Sequence, residues 1–320
     1  WNSGELSNVE VQGRLDLSAA NARVFFASGV TLTRRGGAGR GAIDLTGAGA
    51  ILDFLDSQSL DDTTITVGRS GSANGIEFFT VFAEPHTLTF GSGMRIVATV
   101  ANSTVTLGER FGRPDTIIVN GGLIRAGANG GSFTVDVATF TNTGQVRVDN
   151  GDSFTIHGSL NGAGAIEVSG GASLELAATS ADQTIVFQDG AGTLKLDFSL
   201  QFAATVQGFQ SGDAIDLIHI GATSLTLDGQ DRLIVTDHAT VVATIQLVGS
   251  YAQSDFAFAD DGSGGTIITT SAAPPPVQAM AQVMAGLSPR APATAVAAAH
   301  DLAAGPWVPS LVHAGHGAFN

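Results

Sequence analysis

N-T-G-Q-V-R-V-D-N-G-D-S-F-T-I-H-G-S-L-N-G-A-G-A-I-E-V-S-G-G-A-S-L-E-L, residues 142 to 176, is the stretch on which the fold turns. Gln145-Val146-Arg147-Val148, Ser153-Phe154-Thr155-Ile156, Ala165-Ile166-Glu167-Val168 and Ser173-Leu174-Glu175-Leu176 each alternate apolar with polar residues, the pattern of a half-buried strand. Between them stand Asn150-Gly151, Asn161-Gly162 and Gly170-Gly171, residue types that accept a positive φ at low cost and so turn corners. A glycine-rich run can also cradle a phosphate, but that needs G-x-G-x-x-G between a strand and a helix, or a Gly-Lys-Ser/Thr loop. Here Gly162-Ala163-Gly164 leads into another strand, the third glycine is missing, and Lys195 has no such context. The glycines turn corners.

Working outward, the same texture runs from about residue 91 to 197. Short strands such as Arg95-Ile96-Val97-Ala98, Thr104-Val105-Thr106-Leu107 and Thr193-Leu194-Lys195-Leu196 are separated by Asn120-Gly121-Gly122, Asn129-Gly130-Gly131, Asn142-Thr143-Gly144 and Asp189-Gly190. Asn120, Asn142 and Asn161 open comparable corners at a loose period near twenty, and residues 39 to 54 carry an earlier echo, G-R-G-A-I-D-L-T-G-A-G-A-I-L-D-F. A period of that size without intervening helix predicts stacked β-coils, each covering its neighbour's apolar face. The expected class is therefore all-β: a right-handed parallel β-solenoid (β-helix) over 1–196. A β-sandwich remains the alternative at this point. Beyond 197 the runs lengthen, and Asp228-Gly229-Gln230-Asp231 between Ser224–Leu227 and Arg232–Thr236 predicts a hairpin. Residues 197–271 thus read as a terminal β module covering the end of the stack. Seven of the nine prolines fall between Pro274 and Pro309, so 272–320 reads as a flexible Pro/Ala-rich tail. Val277, Met280, Met284 and Leu287 within it have the spacing of a short helix.

Composition narrows the function classes. With 14 basic against 29 acidic residues, a formal charge of −15 and a single lysine, the chain repels nucleic acid and anionic lipid. The absence of cysteine removes disulfides, thiolate metal sites and thiol nucleophiles. No uninterrupted apolar run reaches the ~18 residues of a membrane helix. The opening Trp1-Asn2-Ser3-Gly4-Glu5-Leu6 has no leader pattern and reads as a processed or excised piece; acidity and scarce lysine favour an exported protein.

Three groups of residues bear on chemistry. Asp53, Asp56, Asp61 and Asp62, with Arg69 nearby, are the acids a polysaccharide-cleaving or polysaccharide-binding β-helix would use, although solvated loop acids are the simpler reading and no spacing demands that they converge on one bond. Asp228 with Asp231, and Asp260 with Asp261, offer oxygen-rich turns to calcium, the one cofactor worth considering; plain Asp-Gly turns are the simpler reading. The histidines are dispersed, and His313 and His316 share the tail, where a metal site would not be preorganised. G-x-S-x-G and H-E-x-x-H are both missing.

Residues 142 to 176 resemble the β-solenoid passenger regions of bacterial autotransporters and related large repetitive surface proteins, through the pattern N-x-G followed by G-x-L-x-G-x-G-x-I-x-V-x-x-G-A-x-L-x-L. F-Q-S-G-D-A-I-D-L, 209 to 217, and residues 247 to 269 are similar to a terminal module of such exported proteins. The resemblance implies a secreted or cell-surface structural or adhesive module whose partners are extracellular glycans or surface proteins. It differs from an autotransporter in ending Gly-His-Gly-Ala-Phe-Asn after a proline-rich tail, where a membrane β-barrel would stand; export by another route is the corresponding expectation.

Overall fold

In a computed structural model, residues 3–79, 85–109, 115–179, 182–197 and 199–273 are described. They belong to the first of two compact units, Trp1–Ala279; the second, Met280–Asn320, lies outside the described residues, as do the tail's expected helix and His313 and His316.

The described chain is a parallel β-solenoid. One sheet stacks Ser3–Ser7, Arg23–Ala27, Ile51–Phe54, Ala73–Phe78, Thr104–Glu109, Ser132–Asp136, Ser153–Asn161, Ser173–Thr179, Thr193–Leu196 and Ala214–Leu217 in sequence order. A second stacks Arg14–Asp16, Gly41–Leu45, Thr63–Val67, Arg95–Ala98, Leu123–Ala126, Gln145–Val148, Ala165–Val168, Thr184–Phe187 and Thr205–Gln207. A third ladder, Gln58–Leu60, Thr87–Phe90, Ile117–Asn120 and Thr139–Asn142, joins the first sheet where Ser153–Asn161 runs through the corner as one long strand. Every one of these ladders is parallel, which excludes the sandwich. Among the described residues the only helical pieces are two single 3₁₀ turns, Ser199–Gln201 and Gln253–Asp255.

The expected period holds in the later coils and lengthens in the earlier ones. Ser132 faces Ser153 and Ser153 faces Ser173, separations of 21 and 20 residues. Upstream, Ala73 faces Thr104 and Thr104 faces Ser132, 31 and 28 residues apart. The difference lies at one corner. Eight positions separate Glu109 from Ile117, whereas Asp136 and Thr139 are nearly adjacent and Ser153–Asn161 has no interruption.

Parallel register turns alternation within each strand into columns along the axis. Ile43, Ile65, Ile96, Ile124, Val146, Ile166, Ile185 and Val206 form one buried column. Leu52, Ile76, Leu107, Val135, Ile156, Leu176, Leu196 and Leu217 form another on the opposing sheet. Phe133 stacks on Phe154 with ring centroids 5.0 Å apart and planes 10° from parallel. No single coil could enclose such a core; each shares it with its neighbours.

Two expectations about corners change. Asn129 and Asn150 do adopt positive φ, but Asn120 and Asn142 do not; both are buried side chains inside the solenoid. Asn120 Nδ2 donates to Asn142 Oδ1 at 2.9 Å, and Asn142 Nδ2 donates to the Ala165 carbonyl and to Gln183 Oε1 at 3.3 and 3.4 Å. Gln183 Nε2 donates to the carbonyls of Asn142, Asn161 and Gly162 at 2.8, 2.8 and 2.6 Å. Asn161 stands outside this ladder because its register partner is Thr141, which leaves Gly162 against Asn142. A Cβ on Gly162 would lie 2.4 Å from the Asn142 carbonyl, at φ +92°, so glycine is required there by close coil approach as well as by dihedral angle.

At the C-terminal end the geometry becomes antiparallel. Thr240–Val248 adds in parallel to Thr205–Gln207, then pairs antiparallel with Arg232–Asp237, which pairs with Ser224–Leu227. On the other sheet, Thr266–Thr270 adds antiparallel to Ala214–Leu217 and is followed by Phe256–Asp260. The Asp228–Asp231 turn is thus the hairpin turn the sequence indicated, with Asp231 at φ +57°.

Candidate functional site

The four candidate acids do not share a site. Asp53 points outward from the first sheet yet is 0% exposed, because Arg23 from the preceding coil covers it and holds it through two hydrogen bonds, Nη2 to Oδ1 at 3.0 Å and Nε to Oδ2. The Arg23 guanidinium lies 4.7 and 4.8 Å from the Phe25 and Phe79 ring centroids, so the ion pair is enclosed by aromatic edges and faces. Asp56, at the next corner, accepts the Ser28 amide at 2.7 Å and Gln58 Nε2 at 3.0 Å. Asp61 lies beyond Gln58–Leu60, at the following corner, where it accepts the amides of Asp62 and Gly93, both at 2.8 Å. Asp62 turns the chain with φ +42°, and Arg69 is exposed in the corner after Thr63–Val67. A whole face of the solenoid separates Asp53 from Asp61, and the carboxylates of Asp53, Asp56 and Asp61 each tie successive coils together at a different place.

Three of the calcium candidates, Asp228, Asp260 and Asp261, are engaged through their carboxylates with their own turns, and Asp231 closes the first of these turns at φ +57°. Asp228 Oδ1 accepts the amides of Gln230 and Arg232 at 2.8 and 3.0 Å, while Oδ2 pairs with the Arg232 guanidinium at 2.7 Å. These bonds, the Arg232 amide first, hold the Asp228 carboxyl below its ordinary range. Asp260 Oδ1 accepts the Gly262 amide at 2.6 Å, and Asp261 Oδ1 accepts those of Ser263 and Gly265 at 2.6 and 2.8 Å. Among the described residues no three His, Asp or Glu side chains gather as a metal-holding group.

Sequence reasoning missed a second class of acid, buried to brace a neighbouring coil. Asp152 accepts the amides of Ala128 and Gly131 at 2.7 and 2.8 Å from the coil before it. Asp213 accepts the Gly192 and Gln210 amides at 2.9 and 3.0 Å, and burial pushes its carboxyl up to about 6. Nearby, the Tyr251 hydroxyl donates to the Phe209 carbonyl at 3.0 Å and is itself raised to about 12 by burial. Apart from the Gln210 amide, their partners lie about one or two coils away in sequence, where no local motif marks them.

The outer surface is ordered by the same register. Thr104, Ser132, Ser153, Ser173 and Thr193 occupy one column of the first sheet, one hydroxyl per coil at the ~4.8 Å strand spacing. Thr106, Thr134 and Thr155 stand beside them, and the column continues through Glu175, Lys195 and Asp216. The second sheet shows Arg125, Arg147 and Glu167 in register, with Arg147 paired to Glu167 at 3.1 Å and Arg125 to Asp149 at 2.9 Å. Each of these two arginines is thus neutralised by an acid of the following coil or corner.

Among the described residues no helix is long and apolar enough to cross a membrane. No known family profile matches the chain, and no curated protein matches it.

Proposed function

We propose that the protein is a secreted or cell-surface β-solenoid module, structural or adhesive and without catalysis, that presents a lateral face to extracellular glycans or surface proteins. The observation that carries this reading is the hydroxyl column Thr104, Ser132, Ser153, Ser173 and Thr193 with its companions Thr106, Thr134 and Thr155. Evenly spaced donors and acceptors on a rigid surface suit an extended partner, because each contact is weak and repetition multiplies them. The resemblance to exported repetitive proteins, the acidity and the single lysine support placement outside the cell.

The test is binding of the purified protein to immobilised neutral and acidic glycans and to surface-protein extracts, compared with the triple variant Ser132→Ala, Ser153→Ala, Ser173→Ala. Retention by the parent and loss in the variant, at an unchanged melting temperature, is expected. Equal retention of both, or retention of neither, overturns the reading. Glycan turnover abolished by Asp56→Asn and Asp61→Asn would instead favour a polysaccharide-cleaving β-helix.

A further inference from the structure

A cleft of about 640 Å³ opens beside the last parallel coil. Three segments line it: Asp197 with the turn Ser199–Gln201, the exit of the strand Ala214–Leu217 at Ile218, His219 and Ile220, and the start of Thr240–Val248. Its volume lies within the range of small-ligand sites, and its walls are mainly aliphatic.

Local structure directs apolar side chains into it. Ser199 is buried and donates its hydroxyl to the Val242 carbonyl, which anchors the turn to the hairpin and leaves Leu200 71% exposed. The hairpin register slips at this point: Val235 faces Ala243 and Thr236 faces Val241, so Val242 is an extra residue. Such a bulge re-aims the strand tip, and Val241 is 43% exposed on the cleft wall. Five large apolar residues are exposed among the described residues, and two of them converge here. His219, on the third wall, holds a left-handed φ of +57°, an uncommon conformation for a residue other than glycine.

Among the described residues, carboxylates outnumber cations around the cleft. Asp197 is on its wall. Behind His219 stand Asp216 and Asp261, whose mutual repulsion adds to the burial that raises the Asp216 carboxyl. Lys195 is the nearby lysine, and it lies in the column between Glu175 and Asp216. An apolar trough with the Asp197 carboxylate on its wall favours a ligand with a hydrocarbon body and a positive end.

We propose that this cleft binds a cationic amphiphile, an alkyl or aryl group ending in an ammonium or guanidinium. The alkyl part lies against Leu200, Val241 and Ile218, and the cation sits at Asp197. This site is independent of the lateral-face reading: either can fail without the other. The probe is decyltrimethylammonium, with decyl sulfate as the opposite-charge control, both well below micelle formation and followed by titration calorimetry on the whole chain. Saturable binding of the cation, at least tenfold tighter than the sulfate, is expected. The double variant Leu200→Ser, Val241→Ser weakens it at least tenfold, and Asp197→Asn erases most of the charge preference while leaving the melting temperature unchanged. Equal affinity for both probes, no saturable binding, or full binding by the double variant overturns the proposal.

Discussion

Replacing Asn142 by Ala tests whether an internal polar ladder holds the coils together. In the parent, Asn142 Oδ1 accepts from Asn120 Nδ2 at 2.9 Å, and Asn142 Nδ2 donates to the Ala165 carbonyl and to Gln183 Oε1. Truncation leaves Asn120 Nδ2 with its two 3.4 Å contacts to the Gly122 and Gln145 carbonyls and strips Gln183 Oε1 of this donor. Both groups are buried away from water. At about 1–3 kcal/mol for each buried group deprived of its partner, and allowing for the weaker contacts that remain, the loss is about 3 kcal/mol. Because solenoid stability is summed over neighbouring coils, the effect is local. Amide hydrogen exchange should speed up most in the coils spanning residues 117 to 168, and the urea midpoint should fall. Asn120→Ala in the Asn142→Ala background should then cost about 1–2 kcal/mol less than in the parent, since the shared bond is already gone. Strict additivity, or a loss below about 0.5 kcal/mol, would refute the ladder as a stabilising device.

Other predictions follow from single contacts. Phe154→Ala removes a fully buried ring stacked on Phe133 and should destabilise by about 3–5 kcal/mol in denaturant unfolding. The Asp213 carboxyl is raised from 3.8 to about 6, so its contribution favours the folded state below pH 4 and is lost as pH rises through 6. Parent minus Asp213→Asn stability, measured at pH 4 and pH 7, should therefore fall with pH, by at most about 3 kcal/mol. A rise would contradict the burial argument. Asp53→Asn leaves the Arg23 guanidinium without its carboxylate inside an aromatic enclosure and should cost about 3–5 kcal/mol by the same assay. Calcium should leave the melting temperature within about 1 °C of a chelator control, because stabilisation by mass action needs a carboxylate free to ligate, and those of Asp228 and Asp261 are bonded within their turns.

Strand and corner placement was legible because it is local. Alternation in Gln145–Val148 or Ser153–Ile156, and the glycines that follow, act through neighbours in sequence, and the ~20-residue repeat of that pattern implies stacking. The hairpin at Asp228–Asp231 was legible for the same reason. What the residues could not announce was which coil position meets which. Asn120 and Asn142 look like turn residues, yet register carries them inward, where Asn120 meets Asn142 and Asn142 meets Gln183, while Asn161, shifted by one place, stays outside. Asp53 looks like a solvated acid, yet Arg23, 30 residues earlier, covers it. The cleft depends on a bulge at Val242 and a turn at Ser199 brought together across 43 residues. Chain chemistry by itself thus determined that there would be parallel coils and where they bend. Tertiary structure decided coil length, the inward or outward fate of each polar side chain, and the cleft, because those depend on inter-coil register, and a shift of one residue reverses the face a side chain occupies.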